Sequence, residues 1–222
     1  MSNRFDELEN NDFANDHTIY VADIPMKTDQ YGMCAPAIDE NFLKDLFNAY
    51  NNVQFYGSAT INVKTGKNNQ PYAYAYAYVI LKDHDELERA IEELNYTKID
   101  GVPIRLLKND RETFEKIKDI NGKLFIKNLD PDIEVSQLHD AFANFGEIIS
   151  CKIYGDHCYI HKFGDPNTKE KRYVSRGYGY IHFQNPEDAK QALIDLKDAS
   201  INGRPVEIQP FCRPQRKRSP AI

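Results

Sequence analysis

The sequence has little of what a membrane, secreted or catalytic protein needs. No stretch approaches the roughly 20 consecutive apolar residues of a transmembrane helix, so no membrane partner is expected. No apolar N-terminal segment marks secretion. Four cysteines, Cys34, Cys151, Cys158 and Cys212, lie far apart, and reduced thiols in cytoplasm or nucleus are expected rather than a disulfide framework. Cys151, His157, Cys158 and His161 sit close along the chain but lack the paired spacing of zinc modules, and they read as strand and loop residues. There is no phosphate loop of Gly-x4-Gly-Lys-Ser/Thr type and no nucleophile elbow, and the six histidines form no metal or triad spacing. The sequence therefore predicts neither an enzyme nor a bound cofactor.

It also lacks an excess of positive charge. Lysine and arginine number 28 against 34 acidic residues, a net charge of -6, which is wrong for binding nucleic acid by phosphate neutralisation alone. The charge is uneven. Residues 1–17 carry one basic and five acidic residues and read as a disordered leader, whereas 212–222 carry four basic residues and no acidic one. That tail, Arg213 to Pro220, reads as a phosphate-binding arm and solvated charge in preference to a nuclear-import patch.

What is present is patterned. In Arg176-Gly177-Tyr178-Gly179-Tyr180-Ile181-His182-Phe183 the order is basic, Gly, aromatic, Gly, aromatic, aliphatic, any, aromatic. On a strand, Tyr178 and Tyr180 share one face while Gly179, Ile181 and Phe183 share the other. Two bare rings on an open sheet would stack bases, with Arg176 on the same side to meet a phosphate. Upstream, Leu124-Phe125-Ile126-Lys127-Asn128-Leu129 forms the partner hexamer. These motifs are the two signatures of the RNA-recognition motif, or RRM, and the resemblance places Phe125 beside Tyr178 and Tyr180 on adjacent strands.

The intervening patterns agree. Leu138, Ala141, Phe142 and Phe145 recur at helical spacing, and Asn185-Pro186-Glu187-Asp188 supplies a cap, a first-turn proline and acidic residues for a second helix bearing Ala189, Ala192, Leu193 and Leu196. Val206 and Ile208 alternate as a last strand. The whole arrangement occurs once earlier, about a hundred residues upstream. Ile19-Tyr20-Val21-Ala22-Asp23-Ile24 is a first hexamer and Tyr74-Ala75-Tyr76-Ala77-Tyr78-Val79-Ile80-Leu81 a first octamer. Alternation puts the tyrosines on one face and small alanines on the other. Leu43, Leu46, Phe47 and Tyr50 form one helix; Leu87, Ala90, Ile91 and Leu94 form another, with Asp83 and Glu86 as its capping pair.

The expected fold is thus α+β: two tandem ferredoxin-like RRMs (β-α-β-β-α-β) over 18–107 and 123–211, each a four-stranded antiparallel sheet backed by two helices, joined by a linker at 108–122. The linker carries four basic and four acidic residues, and Glu112 to Ile117 fits a short helix. Insertions at 27–37 and 154–174 read as loops beside the platform.

Segment by segment, the chain resembles the first two RRMs of the cytoplasmic poly(A)-binding proteins. The marks are Phe125 to Leu129, Leu138-His139-Asp140-Ala141-Phe142, Ile149-Ser150-Cys151-Lys152 and Tyr76-Ala77-Tyr78-Val79, and Asp23 is itself typical of that family's first domain. The resemblance implies a single-stranded RNA partner, mRNA with A-rich tracts, bound across both sheets by a monomer in post-transcriptional regulation. By motif position it implies stacking by Tyr20, Tyr74, Tyr76, Tyr78, Phe125, Tyr178 and Tyr180, edge reading by Lys127 and Asn128, and a phosphate contact from Arg176. The family carries further domains, so the chain reads as a fragment or a shortened relative. Lys108 stands where that family usually has a tryptophan that holds a base. A protein adaptor using the helices or linker, and a binder of U-containing elements, are the alternative readings. With so little positive charge, affinity is expected to come from stacking, about 1 to 3 kcal/mol per base, with a shallow salt dependence.

Overall fold

The computed structural model describes residues 17–28, 31, 34–38, 40–50, 54–56, 64–65, 71–72, 75–162 and 165–212. Tyr74 and nearly all of the acidic leader and basic tail lie outside the described residues.

Alternation makes the first strand two-faced. In β1 (Thr18–Ile24), Ile19, Val21 and Ile24 enter one apolar cluster, while Tyr20 and Ala22 belong to another on the opposite side. β2 (Met26–Thr28) and β3 (Cys34–Pro36) pair within the first insertion, which is therefore a hairpin rather than a plain loop. α1 (Glu40–Leu46) brings Leu43, with Phe47 and Tyr50 just beyond it, onto the core. β4 (Gln54–Tyr56) follows, then the short pair β5 (Lys64–Thr65) and β6 (Pro71–Tyr72). In β7 (Ala75–Ile80), Ala75, Ala77 and Val79 face the helices, and Ala77 is small enough to let α2 approach. α2 (His84–Leu94) starts at Asp83, whose carboxylate accepts from the Glu86 amide at 2.9 Å, as the capping pair predicts. β8 (Lys98–Ile99) and β9 (Val102–Pro103) turn through Asp100 and Gly101, and β10 (Arg105–Lys108) closes an antiparallel sheet of order β10-β1-β7-β4.

The linker contains α3 (Arg111–Lys118), capped by Asp110. The second half repeats the plan: β11 (Lys123–Lys127), α4 (Val135–Ala143), β12 (Ile148–Lys162), β13 (Asp165–Phe183), α5 (Pro186–Asp195), the hairpin β14 (Ser200–Ile201) with β15 (Arg204–Pro205), and β16 (Glu207–Pro210). Its sheet order is β12-β13-β11-β16. Short hairpins aside, each half is β-α-β-β-α-β, the α+β ferredoxin-like plan. Leu124, Ile126, Leu138, Phe142, Ile181, Phe183, Ala189 and Ala192 fill the second core.

The second insertion differs from its expectation as a loop. β12 and β13 run on as an antiparallel ribbon, with Gly155 opposite Ser175 and His161 opposite Lys169. Two extra residues on β13 enter at the Tyr154/Gly155 step, and Gly177 at that bulge has φ +75°, which favours glycine. Gly179 is required for another reason: a Cβ there would lie 2.5 Å from the Lys152 carbonyl of the neighbouring strand.

The halves touch along β10 and β12. Tyr96 packs on the second core with its ring 5.7 Å from that of His139, Lys98 pairs with Glu134 at 2.5 Å, and Tyr173 of the ribbon lies against Gly101.

Candidate nucleic-acid interface

The register places the motif aromatics as the sequence predicts. Tyr20 lies opposite Tyr78 on β7, and Phe125 lies opposite Tyr180 with Lys127 opposite Tyr178. In the first sheet the rings of Tyr20, Tyr76 and Tyr78 stand 5.5 to 5.7 Å apart. In the second, Phe125 and Tyr178 stand 5.6 Å apart.

The expectation of bare rings is corrected at three positions. Tyr20 and Tyr78 are only 3% and 5% exposed, because α3 lies over the first sheet. Phe114 sets its edge on the Tyr20 ring at 6.2 Å and, with Leu107 and Ile117, closes an apolar cluster over Tyr20, Ala22 and Tyr78. Tyr76 stays half-buried at the cluster's margin.

Tyr180 is 6% exposed for a different reason. Arg105, from the first domain, donates to the Tyr180 hydroxyl at 2.5 Å and to Ser150 Oγ at 2.7 Å, while the Lys123 ammonium stands 3.6 Å over the Tyr180 ring. Asp23 completes the junction: one carboxylate oxygen pairs with Arg105 and the other accepts from Lys152 at 2.7 Å. Burial disfavours the Arg105 charge, yet the carboxylate of Asp23 and the oxygen of Tyr180 more than offset it and raise its pKa. Burial also raises the Tyr180 phenol, against the pull of Arg105. This network joins the end of one hexamer strand to the octamer of the other domain.

Asn128 is also differently employed. It has φ +58°, as its counterpart Asp23 has φ +64°, and short polar side chains tolerate that left-handed turn at the end of each hexamer. The Asn128 amide donates to the Pro205 carbonyl at 2.6 Å and accepts from Arg204 at 3.2 Å, fixing the β14–β15 hairpin to β11. Its side chain is exposed but already bonded within the turn, so a base edge would have to compete with those bonds.

The rest of the second sheet is accessible. Phe125 and Tyr178 are half-buried, and Lys127 reaches Glu207 at 3.5 Å with 44% of its side chain exposed. Arg176 is exposed; its Nε and Nη2 donate to the two carboxylate oxygens of Asp156, and its Nη1 approaches the Tyr178 hydroxyl at 3.3 Å. A phosphate there would have to compete with that carboxylate.

Sequence reasoning missed a third ring. Tyr154 on β12 lies opposite Tyr178, with centroids 5.2 Å apart, and 6.1 Å from Tyr180. Burial pushes its phenol up to about 12, so it stays neutral. Ser150, Lys152 and Tyr154 recur every second residue, a strand signal on the platform side, but Tyr154 is also the first residue of the segment that reads as an insertion. The cover at Phe114 and the junction at Arg105 have no local signal, since both depend on contacts between distant segments. Among the described residues, no cluster of three or more His, Cys, Asp or Glu is placed to hold a metal, and Cys151 is buried in the second core.

The chain is 32% identical over 180 residues to the Polyadenylate-binding protein, cytoplasmic and nuclear, of Eremothecium gossypii, which covers 80% of this chain and 27% of that protein. To Polyadenylate-binding protein 2 of Arabidopsis thaliana it is 35% identical over 146 residues, 66% of this chain and 21% of the relative. A solved Sxl-lethal protein/RNA complex aligns over 89% of this chain and 100% of that one at 22% identity, with a TM-score of 0.41. The chain thus spans about a quarter of the length of these curated relatives. The RNA recognition motif matches twice, over residues 35–105, which hold the first octamer, and over 124–207, which hold the second hexamer and octamer, and the chain belongs to that family.

Proposed function

We propose that this chain binds single-stranded RNA by stacking bases on the second sheet, with a preference for A-rich mRNA sequences and a role in post-transcriptional regulation in the cytoplasm, the nucleus or both. The observation that carries the reading is the trio Phe125, Tyr154 and Tyr178, three neighbouring half-buried rings with Lys127 beside them. Three rings suit two or three bases, and stacking works for any base because each has a π-face. The A-rich preference rests on the similarity to polyadenylate-binding proteins. Lys127 supplies an ammonium within reach of a base edge, and Arg176 becomes a phosphate contact once it leaves Asp156.

Competition among short A, U and C oligomers tests the preference: A displaces the probe at the lowest concentration, and equal competition by all three overturns the A-rich reading. Affinity falls only gently with added salt, since few phosphates are neutralised. A protein-adaptor reading has one observation in its favour, that the first sheet already holds a helix on its aromatic face. It requires partner binding that survives loss of Phe125 and Tyr178.

A further inference from the structure

We propose that α3 is a displaceable cover that makes nucleic-acid binding by the first sheet conditional. The proposal rests on the RNA-binding reading above, and it says when the first sheet joins in. Three rings at the motif positions, Tyr20, Tyr76 and Tyr78, form a platform like the second one, but the linker helix occupies it.

Two apolar side chains make the hold on the tyrosines themselves. Phe114 and Ile117 are three residues apart, hence on one face of the helix, and they are the linker side chains in the apolar cluster over the tyrosines. Phe114 is 6% exposed. Along its outer surface α3 is steadied by Lys116 to Glu112 at 2.6 Å, and at its start by Asp110, which accepts from the Thr113 amide at 2.7 Å. Eight residues are too few to persist as a helix without tertiary contacts, so what keeps α3 folded is the sheet it covers together with β12 beside it. Base stacking on three rings competes directly with the seating of two side chains. The cover therefore yields to an RNA long enough to be held by both sheets, and not to one that fills the second sheet alone. Binding to the second sheet raises the local concentration of the remaining nucleotides near the first, which is what tips the competition. The cover also explains how Tyr20 and Tyr78 stay away from solvent until they are used.

The sequence contains no tryptophan, so Phe114→Trp gives a single indole emission that reports the cover. Each RRM sheet holds two or three bases, so A-tracts of about three and about eight nucleotides probe one sheet and two. Addition of the longer tract should shift the emission to the red as the introduced indole is exposed to water, and the shorter tract should bind without a shift. Binding of both tracts with no shift overturns the cover while leaving the second-sheet reading intact; failure of both tracts to bind rejects both proposals. A second variant, Phe114→Ser with Ile117→Ser, should bind the longer tract at least tenfold more tightly than the parent and the shorter one unchanged. An unchanged or weaker affinity for the longer tract likewise overturns the cover.

Discussion

The two sheets carry the same aromatic positions and differ in what lies upon them. On the first, the apolar side of a linker helix seals Tyr20 and Tyr78; on the second, Arg105 from the other domain, with Ser150 and Lys123, takes only Tyr180 and leaves Phe125, Tyr154 and Tyr178 accessible. A motif thus specifies where rings stand, whereas the neighbouring segments decide which rings are available. The largest test separates the sheets. Phe125→Ala with Tyr178→Ala should weaken a short A-tract about a hundredfold or more, since stacking contributes about 1 to 3 kcal/mol per base. Tyr20→Ala with Tyr76→Ala should leave that same short tract nearly unchanged. Fluorescence anisotropy reads both, and equal losses would erase the distinction.

The junction is where the two faces are tied together. Arg105→Ala removes the guanidinium that joins Asp23 to Tyr180; Lys152 still donates to Asp23 at 2.7 Å, and Ser150 stays 3.2 Å from the Tyr180 hydroxyl. Breaking one member of a buried pair costs about 3 kcal/mol at the lower end, and here the remaining Lys152 keeps the loss from being larger. Urea denaturation should then resolve two transitions, one per domain, in place of a more concerted one. An unchanged profile would show that the domains are coupled elsewhere, as at Tyr96.

Acid offers a test confined to one sheet. His182 is 1% exposed, and burial, helped by the nearby Lys123 ammonium, pushes its pKa down to about 4 from an ordinary 6.5. The folded state therefore holds fewer protons than the unfolded chain between these values, and the second domain loses stability as pH falls from about 6.5 to about 4. The loss is about 3 kcal/mol, and above pH 6.5 this contribution is flat. The first octamer has Ile80 at the corresponding position, so it carries no matching group there. His182→Ile should flatten the profile; a slope that persists would assign acid sensitivity to another group.

Much of this is legible in the sequence because local pattern and tertiary role coincide. Alternation in Ala75 to Leu81 and Arg176 to Phe183 separates ring face from core face, and the capping signals at Asp83 and Asn185 mark true helix starts. The linker helix can be read as a helix from its own residues. Its resting place cannot, because Phe114 looks like any amphipathic anchor until the sheet is folded beneath it. Tyr154 escapes at a boundary: a strand that runs on into a ribbon gives no composition change where the sheet ends. At Asn128 a left-handed turn and an exposed reader ask for the same short polar side chain, and only the fold shows that it bonds the Pro205 carbonyl.

The smallest test uses that difference between a helix that covers and a helix that packs. Asp110 caps α3, holding the Thr113 amide at 2.7 Å and the Thr113 hydroxyl at 2.9 Å, while Asn185 caps α5 through the Glu187 amide at 3.1 Å. Removing either cap costs about 1 kcal/mol. For Asp110→Ala the cost falls on the covered state of the first sheet alone, so the long A-tract should bind up to about fivefold more tightly. For Asn185→Ala the same loss falls on a helix buried against the second core, where it lowers the domain's denaturation midpoint and leaves both tracts' affinities unchanged. Two substitutions of equal local cost then have unequal effects on binding, because only α3 competes with the nucleic acid for its seat.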